Sequence, residues 1–139
     1  MITGVDSNVL IDVLEADPTF GEASRSALKR CSREGSIVAC DVVWAEISTV
    51  YGRELDRLLT ALDSVGLGYL PIEKSAALTA ARQWRCFRKD GGGRARIAAD
   101  FLIGGHALEQ CDRLLTRDRG FYRRYFKELT VIDPTAASH

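Results

Sequence analysis

The sequence predicts an α/β domain in which a central parallel sheet of four to five strands is covered by helices on both faces. Short apolar runs alternate with longer amphipathic stretches, and an acid or a small polar residue often stands where a run stops. No repeat, low-complexity tract or interdomain linker breaks the order. Strands buried on both faces read as continuous apolar runs, and the helices that return the chain between parallel strands read at a period near 3.6.

The elements follow in order. Ile2–Val5 is a short buried strand, and Ser7–Glu15 a helix with Val9, Leu10, Val13 and Leu14 on one side, stopped near Pro18. Gly21–Glu34 is a second helix, ended by Gly35. Ser36–Cys40 is strand-like, and Asp41 is expected to cap the helix VVWAEISTVYG, in which Val43, Ile47 and Val50 recur at helical spacing. Glu54–Val65 is helical, with Leu55, Leu58, Leu59 and Leu62 in register. Leu67–Ile72 reads as a strand, Glu73–Lys89 as a helix, and Asp90–Arg96 as a loop broken by Gly91, Gly92 and Gly93. The helix IAADFLIGGHALEQ, the strand RLLT, a short helix around Phe121–Phe126 and a last strand LTVID complete the chain.

A chain of 139 residues, 46% hydrophobic and 27% charged, is expected to form one domain over residues 1–134, with a frayed tail at 135–139. No apolar run approaches the roughly 20 residues of a membrane span. Cys31, Cys40, Cys86 and Cys111 are widely spaced and form no C-x-x-C pair, which argues against a zinc site. With no signal sequence read at the start, they are expected as free or buried thiols in a reducing cytoplasm. The net charge of zero conceals segregation: residues 1–72 carry 6 basic and 11 acidic side chains, and residues 73–139 carry 13 and 8. Such a chain can set a basic face beside an acidic pocket.

Open parallel sheets place ligands beyond the carboxyl ends of their strands. Asp6 ends the first strand and Asp118 stands two residues past the fourth. Asp100 lies in the first turn of its helix, and Glu46 one turn into the helix after the second strand. Each acid alone has an ordinary reading, as a cap, a dipole-matched acid, a solvated helix residue or a turn former. Together they could converge at one edge of the sheet. Four carboxylates at close range repel, so the grouping calls for a cation. Oxygen donors without histidine or cysteine suit Mg²⁺ or Mn²⁺, and the chemistry that follows is hydrolysis of a phosphodiester.

The segments GVDSNVLID, VVWAEIS, IAADFLIGGHAL and LLTRDRGFYRRYF, in that order, resemble the motif set of the PIN domain, most closely the short single-domain VapC toxin ribonucleases. The resemblance implies a three-layer α/β/α fold and a Mg²⁺- or Mn²⁺-dependent endoribonuclease. It makes Asp6, Glu46, Asp100 and Asp118 the metal-holding and catalytic acids, with Thr116 lining the pocket. It also implies a toxin silenced by a small antitoxin that occludes the site, and a homodimer. All four acids are intact.

Other residues are weighed beside this core. Asn8, next to Asp6, is a candidate for contact with RNA, as are Arg85, Arg88 and Arg94 in the basic stretch RQWRCFRKDGGGRAR. Trp84 and Phe87 either stack on bases or belong to the core. The glycine run lacks the strand and the G-K-[ST] ending of a phosphate loop. Arg117, Arg119, Arg123 and Arg124 either bind RNA or pair with acids. His106 has no partner motif and reads as structural. The rival from another class is a silent RNA-binding or assembly module with the same fold. A phosphoaspartyl receiver would need an acidic pair after the first strand and a lysine after the last, and has neither.

Overall fold

The structure, a computed structural model, describes residues 1–91 and 98–136. Arg94, Arg96, Gly92, Gly93 and the tail residues 137–139 lie outside the described residues. The order is β1 (Ile2–Val5), α1 (Ser7–Leu14), α2 (Gly21–Glu34), β2 (Ser36–Ala39), α3 (Asp41–Val50), a 3₁₀ turn (Gly52–Glu54), α4 (Leu55–Ser64) and β3 (Leu67–Tyr69). There follow α5 (Lys74–Lys89), α6 (Ala98–Gln110), β4 (Arg113–Leu115), α7 (Arg119–Tyr125) and β5 (Val131–Ile132).

All five strands are parallel, in the order β3-β2-β1-β4-β5. The chain first moves outward from β1 to β3 and then returns to β4 and β5. Parallel crossovers are right-handed, so this reversal puts the helices before β3 on one face and those after it on the other. The result is the three-layer α/β/α architecture that the sequence predicts. No helix among the described residues is long and apolar enough to cross a membrane.

The sheet is buried as its apolar runs require, with Val5, Ile37, Ala39, Leu114 and Leu115 at 0–2% exposure. On the side of α5 and α6, Phe101 meets Phe121 at 5.1 Å and Phe87 at 5.4 Å between ring centroids. Helix α6 lies tight in this layer. A Cβ at Gly104 would collide with the Phe126 ring, and one at Gly105 with the Ala76 carbonyl of α5. Two adjacent glycines therefore set the depth of the helix whose first turn carries Asp100.

Several expectations are corrected. The N-cap of α3 is Cys40, not Asp41; Asp41 is the first helical residue, and its carboxylate accepts from the Ile72 N–H at 3.3 Å. Strand β3 ends at Tyr69 rather than Ile72, because Pro71 has no N–H to continue the ladder. Strand β5 is two residues, not five. Within α4 only Leu58 and Leu62 are buried; Leu55 and Leu59 are exposed, as is Val50 at the end of α3. Phe87 belongs to the core and cannot stack on a base.

Candidate active site

Asp6 is the first residue beyond β1. Its N–H bonds the Leu115 carbonyl at 3.0 Å, so β1 and β4 stay paired up to this point. From here the two connections diverge, β1 toward β2 and β4 toward β5, which opens a crevice at the carboxyl end of the sheet. Asp6 stays extended (φ −78°, ψ 153°), and one carboxylate oxygen accepts the Ser7 N–H at 2.8 Å. Asp6 is thus the helix cap that a bland reading makes it.

Its other oxygen faces the crevice wall. Asp6 Oδ2 accepts from Thr116 Oγ1 at 2.8 Å, Tyr122 Oη at 3.1 Å and Asn8 Nδ2 at 3.5 Å. Among the described residues every donor to Asp6 is neutral. Burial pushes its carboxyl from an ordinary 3.8 up to about 6; these hydrogen bonds pull against that rise, and the charge of Asp100 adds to it.

The neighbouring acids are tied in at different strengths. Glu46 reaches the site through Ser7, whose Oγ donates to Glu46 Oε1 at 3.0 Å and lies 3.4 Å from Asp6 Oδ1. Burial raises the Glu46 carboxyl, the Ser7 bond lowers it, and Asp100 raises it again. Asp100 sits in the first turn of α6. Asp118 is the N-cap residue of α7, and its N–H bonds Thr116 Oγ1 at 3.0 Å. The Tyr122 hydroxyl is held well above its ordinary pKa, chiefly by burial and then by the charges of Asp6, Asp100 and Asp118.

The structure therefore brings Asp6, Glu46 and Asp100 within electrostatic reach of one another and links Asp118 to them through Tyr122. It does not gather them at one point. Among the described residues no three Asp, Glu, His or Cys side chains are close enough to share a metal ion. Thr116 and Asn8 are in the wall, as buried or half-buried partners of Asp6.

Arg85 and Arg88 lie elsewhere. With Trp84, Ala81 and Lys89 they line a shallow groove of about 420 Å³ along α5. Trp84 is 37% exposed and stacks on Phe101, the neighbour of Asp100, at 6.2 Å and 20°. Arg117 is not a free basic residue: its guanidinium grips Asp12 through Nε at 2.6 Å and Nη2 at 3.0 Å. Arg119 pairs with Asp133 at 3.5 Å. His106 is 2% exposed with its pKa lowered by burial, as a structural histidine would be. All four cysteines are free, and burial pushes the Cys40 and Cys111 thiols up to about 11 and 12.

Sequence reasoning missed Tyr122, Ser7 as a bridge, and Asp12. Tyr122 had a signal, being four residues past Asp118 and so on the same face of α7. Asp12 had a fainter one, an acid inside the apolar run VLIDVL.

A model of the PIN domain matches residues 4–127, which take in every residue of this crevice. The chain belongs to the PIN domain family. Solved structures with this PIN fold are similar over nearly the whole chain. A chain in the structure of VapBC2 from Rickettsia felis bound to a DNA fragment from their promoter matches with a TM-score of 0.76 and 17% identity, over 96% of this chain and 98% of that one. One in VapBC-1 from nontypeable Haemophilus influenzae matches with a TM-score of 0.74 and 17% identity, over 97% and 99%. One in FitAcB from Neisseria gonorrhoeae matches with a TM-score of 0.72 and 21% identity, over 99% and 100%. At such identities the likeness is one of fold. No curated protein matches the sequence.

Proposed function

We propose that this PIN domain is a metal-dependent endoribonuclease, the toxin of a type II toxin–antitoxin pair. The observation that carries the reading is Asp6, a buried carboxylate at the switch point of the sheet, met among the described residues by neutral donors and raised further by a second acid. Such a group is incomplete without a cation. The donor set, carboxylates and hydroxyls with no thiolate or imidazole, fits Mg²⁺ or Mn²⁺. Asp6, Asp100 and Asp118 would hold the ion, with Glu46 completing the set or orienting the attacking water. When bound, the ion supplies acidified water and stabilises charge developing on a phosphodiester.

The chain's own groups do the rest. Thr116 and Tyr122 fix the orientation of Asp6, and Ser7 fixes Glu46 relative to it. Asn8 and Thr116 line the wall along which substrate would pass. The groove of Trp84, Arg85 and Arg88, with Arg94 beyond it in sequence, would hold the RNA backbone by charge and one base by stacking. The partner would be a small antitoxin, a reading supported by the toxin–antitoxin complexes among the similar structures. A homodimer would cover apolar side chains such as Val50, Leu55 and Leu59. The compartment would be the cytoplasm.

The test is cleavage of single-stranded RNA by purified protein with Mg²⁺ or Mn²⁺ and with EDTA. Wild type should cut only with metal. Asp100→Asn should lose about 10²-fold or more of that rate while keeping its fold. RNA binding without cleavage under any metal would replace the nuclease by the silent binding module.

A further inference from the structure

We infer that Arg117 and Asp12 form a clamp that positions the Thr116–Asp118 segment, with Arg117 a positioning residue and not a contact for nucleic acid. The inference rests on the nuclease reading for the importance of that segment, but the clamp itself is visible in the packing. Asp12 lies on the inner side of α1, with its side chain 4% exposed. It accepts two bonds from the Arg117 fork and a third, at 2.8 Å, from Ser24 Oγ of α2. The guanidinium also lies over the Phe20 ring, 4.1 Å from its centroid. Nε, Nη2 and one face of the guanidinium are thus engaged inside the protein, with 27% of the side chain left exposed.

A two-bond fork fixes direction as well as distance. It ties the backbone after β4 to α1, and the Arg117 N–H adds a bond to Asn8 Oδ1 at 3.2 Å. The residues on either side of Arg117 are the ones the site uses. Thr116 donates to Asp6 and accepts the Asp118 N–H. Asp12 itself reaches neither Asp6 nor Asp118 by any of its hydrogen bonds. The clamp thus runs from α2 to α1 and from α1 to the loop after β4.

Removing one partner would leave a buried charge and could unfold the protein, so the decisive variant removes both. Asp12→Leu with Arg117→Met replaces the pair by apolar side chains of similar bulk, a change often neutral for stability. Arg117→Lys keeps the charge and loses the fork. Two readouts are taken: amide hydrogen exchange in metal-free protein, and calorimetric titration with Mn²⁺ alone. In the double variant the Asp118 amide should exchange about tenfold faster, while the Leu114 amide, bonded to the Thr130 carbonyl, stays as in wild type. Affinity for Mn²⁺ should fall about 10- to 100-fold, with Arg117→Lys in between. If the double variant fails to fold, Arg117→Lys is read by the same two criteria. Exchange at Asp118 and Mn²⁺ affinity both within about twofold of wild type would overturn the clamp. If wild type takes no Mn²⁺, the nuclease reading fails, and exchange at Asp118 alone still decides whether the clamp holds the segment.

Discussion

Two aspartates six residues apart, Asp6 and Asp12, are both buried, at 6% and 3% exposure, and are supported in opposite ways. Asp12 is met by a guanidinium fork and a serine hydroxyl. Asp6 is met by a threonine, a tyrosine, a serine and an asparagine, with not one positive charge among them. The first is electrostatically complete. The second is placed as carefully but meets no counter-charge among the described residues, and Asp100 adds to its raised pKa. Among the described residues, a cation beside one buried carboxylate and none beside the other distinguishes a strut from a site.

The contrast can be broken most strongly at the strut. Arg117→Met alone leaves Asp12 buried and unpaired, and should destabilise the protein by about 3–5 kcal/mol. Urea denaturation measures this, and a loss under about 1 kcal/mol would mean that water readily replaces the arginine.

A smaller effect of opposite sign is expected at the site. Folding raises the Asp6 carboxyl from 3.8 to about 6, so the metal-free native state binds that proton more tightly than the unfolded chain does. The stability it contributes is fully present below about pH 4 and is lost as pH rises through 6. Asp6→Asn removes this dependence. In EDTA at pH 7 the variant should be more stable than wild type by about 1–3 kcal/mol, less whatever capping it loses, and the gap should close on descending to pH 4. A gap that stays constant with pH would mean that Asp6 is charged and content without metal.

Much of this was legible in the sequence, and the reasons are local. Strands β1 and β2 announce themselves because most of their residues are buried, so their runs are mostly apolar. Asp6, Asp100 and Asp118 are visible because each stands where an element begins or ends, positions that topology sends to one edge. Strand β5 is shorter than the run LTVID suggests: its two residues, Val131 and Ile132, are only half-buried, and Thr130 before them is exposed. The supports of the site were harder. Tyr122 donates to an acid 116 positions away, and Arg117 to one 105 positions away. Periodicity says that such residues lie on a helix or in a loop, and nothing about which distant side chain they meet. Motif order shows that the four acids share an edge of the sheet, but it does not fix the distances between them.

The claim that Asp6 lacks a cation is tested most directly by thermal melts of wild type and Asp6→Asn, each in EDTA and in excess Mn²⁺. A ion that binds only the folded state adds about 2.7 kcal/mol at a hundred times its dissociation constant. Wild type should therefore start below the variant in EDTA and rise to meet or pass it in Mn²⁺, while the variant barely moves. If Mn²⁺ shifts neither melting temperature, Asp6 is only a buried cap and the metal-dependent nuclease is contradicted.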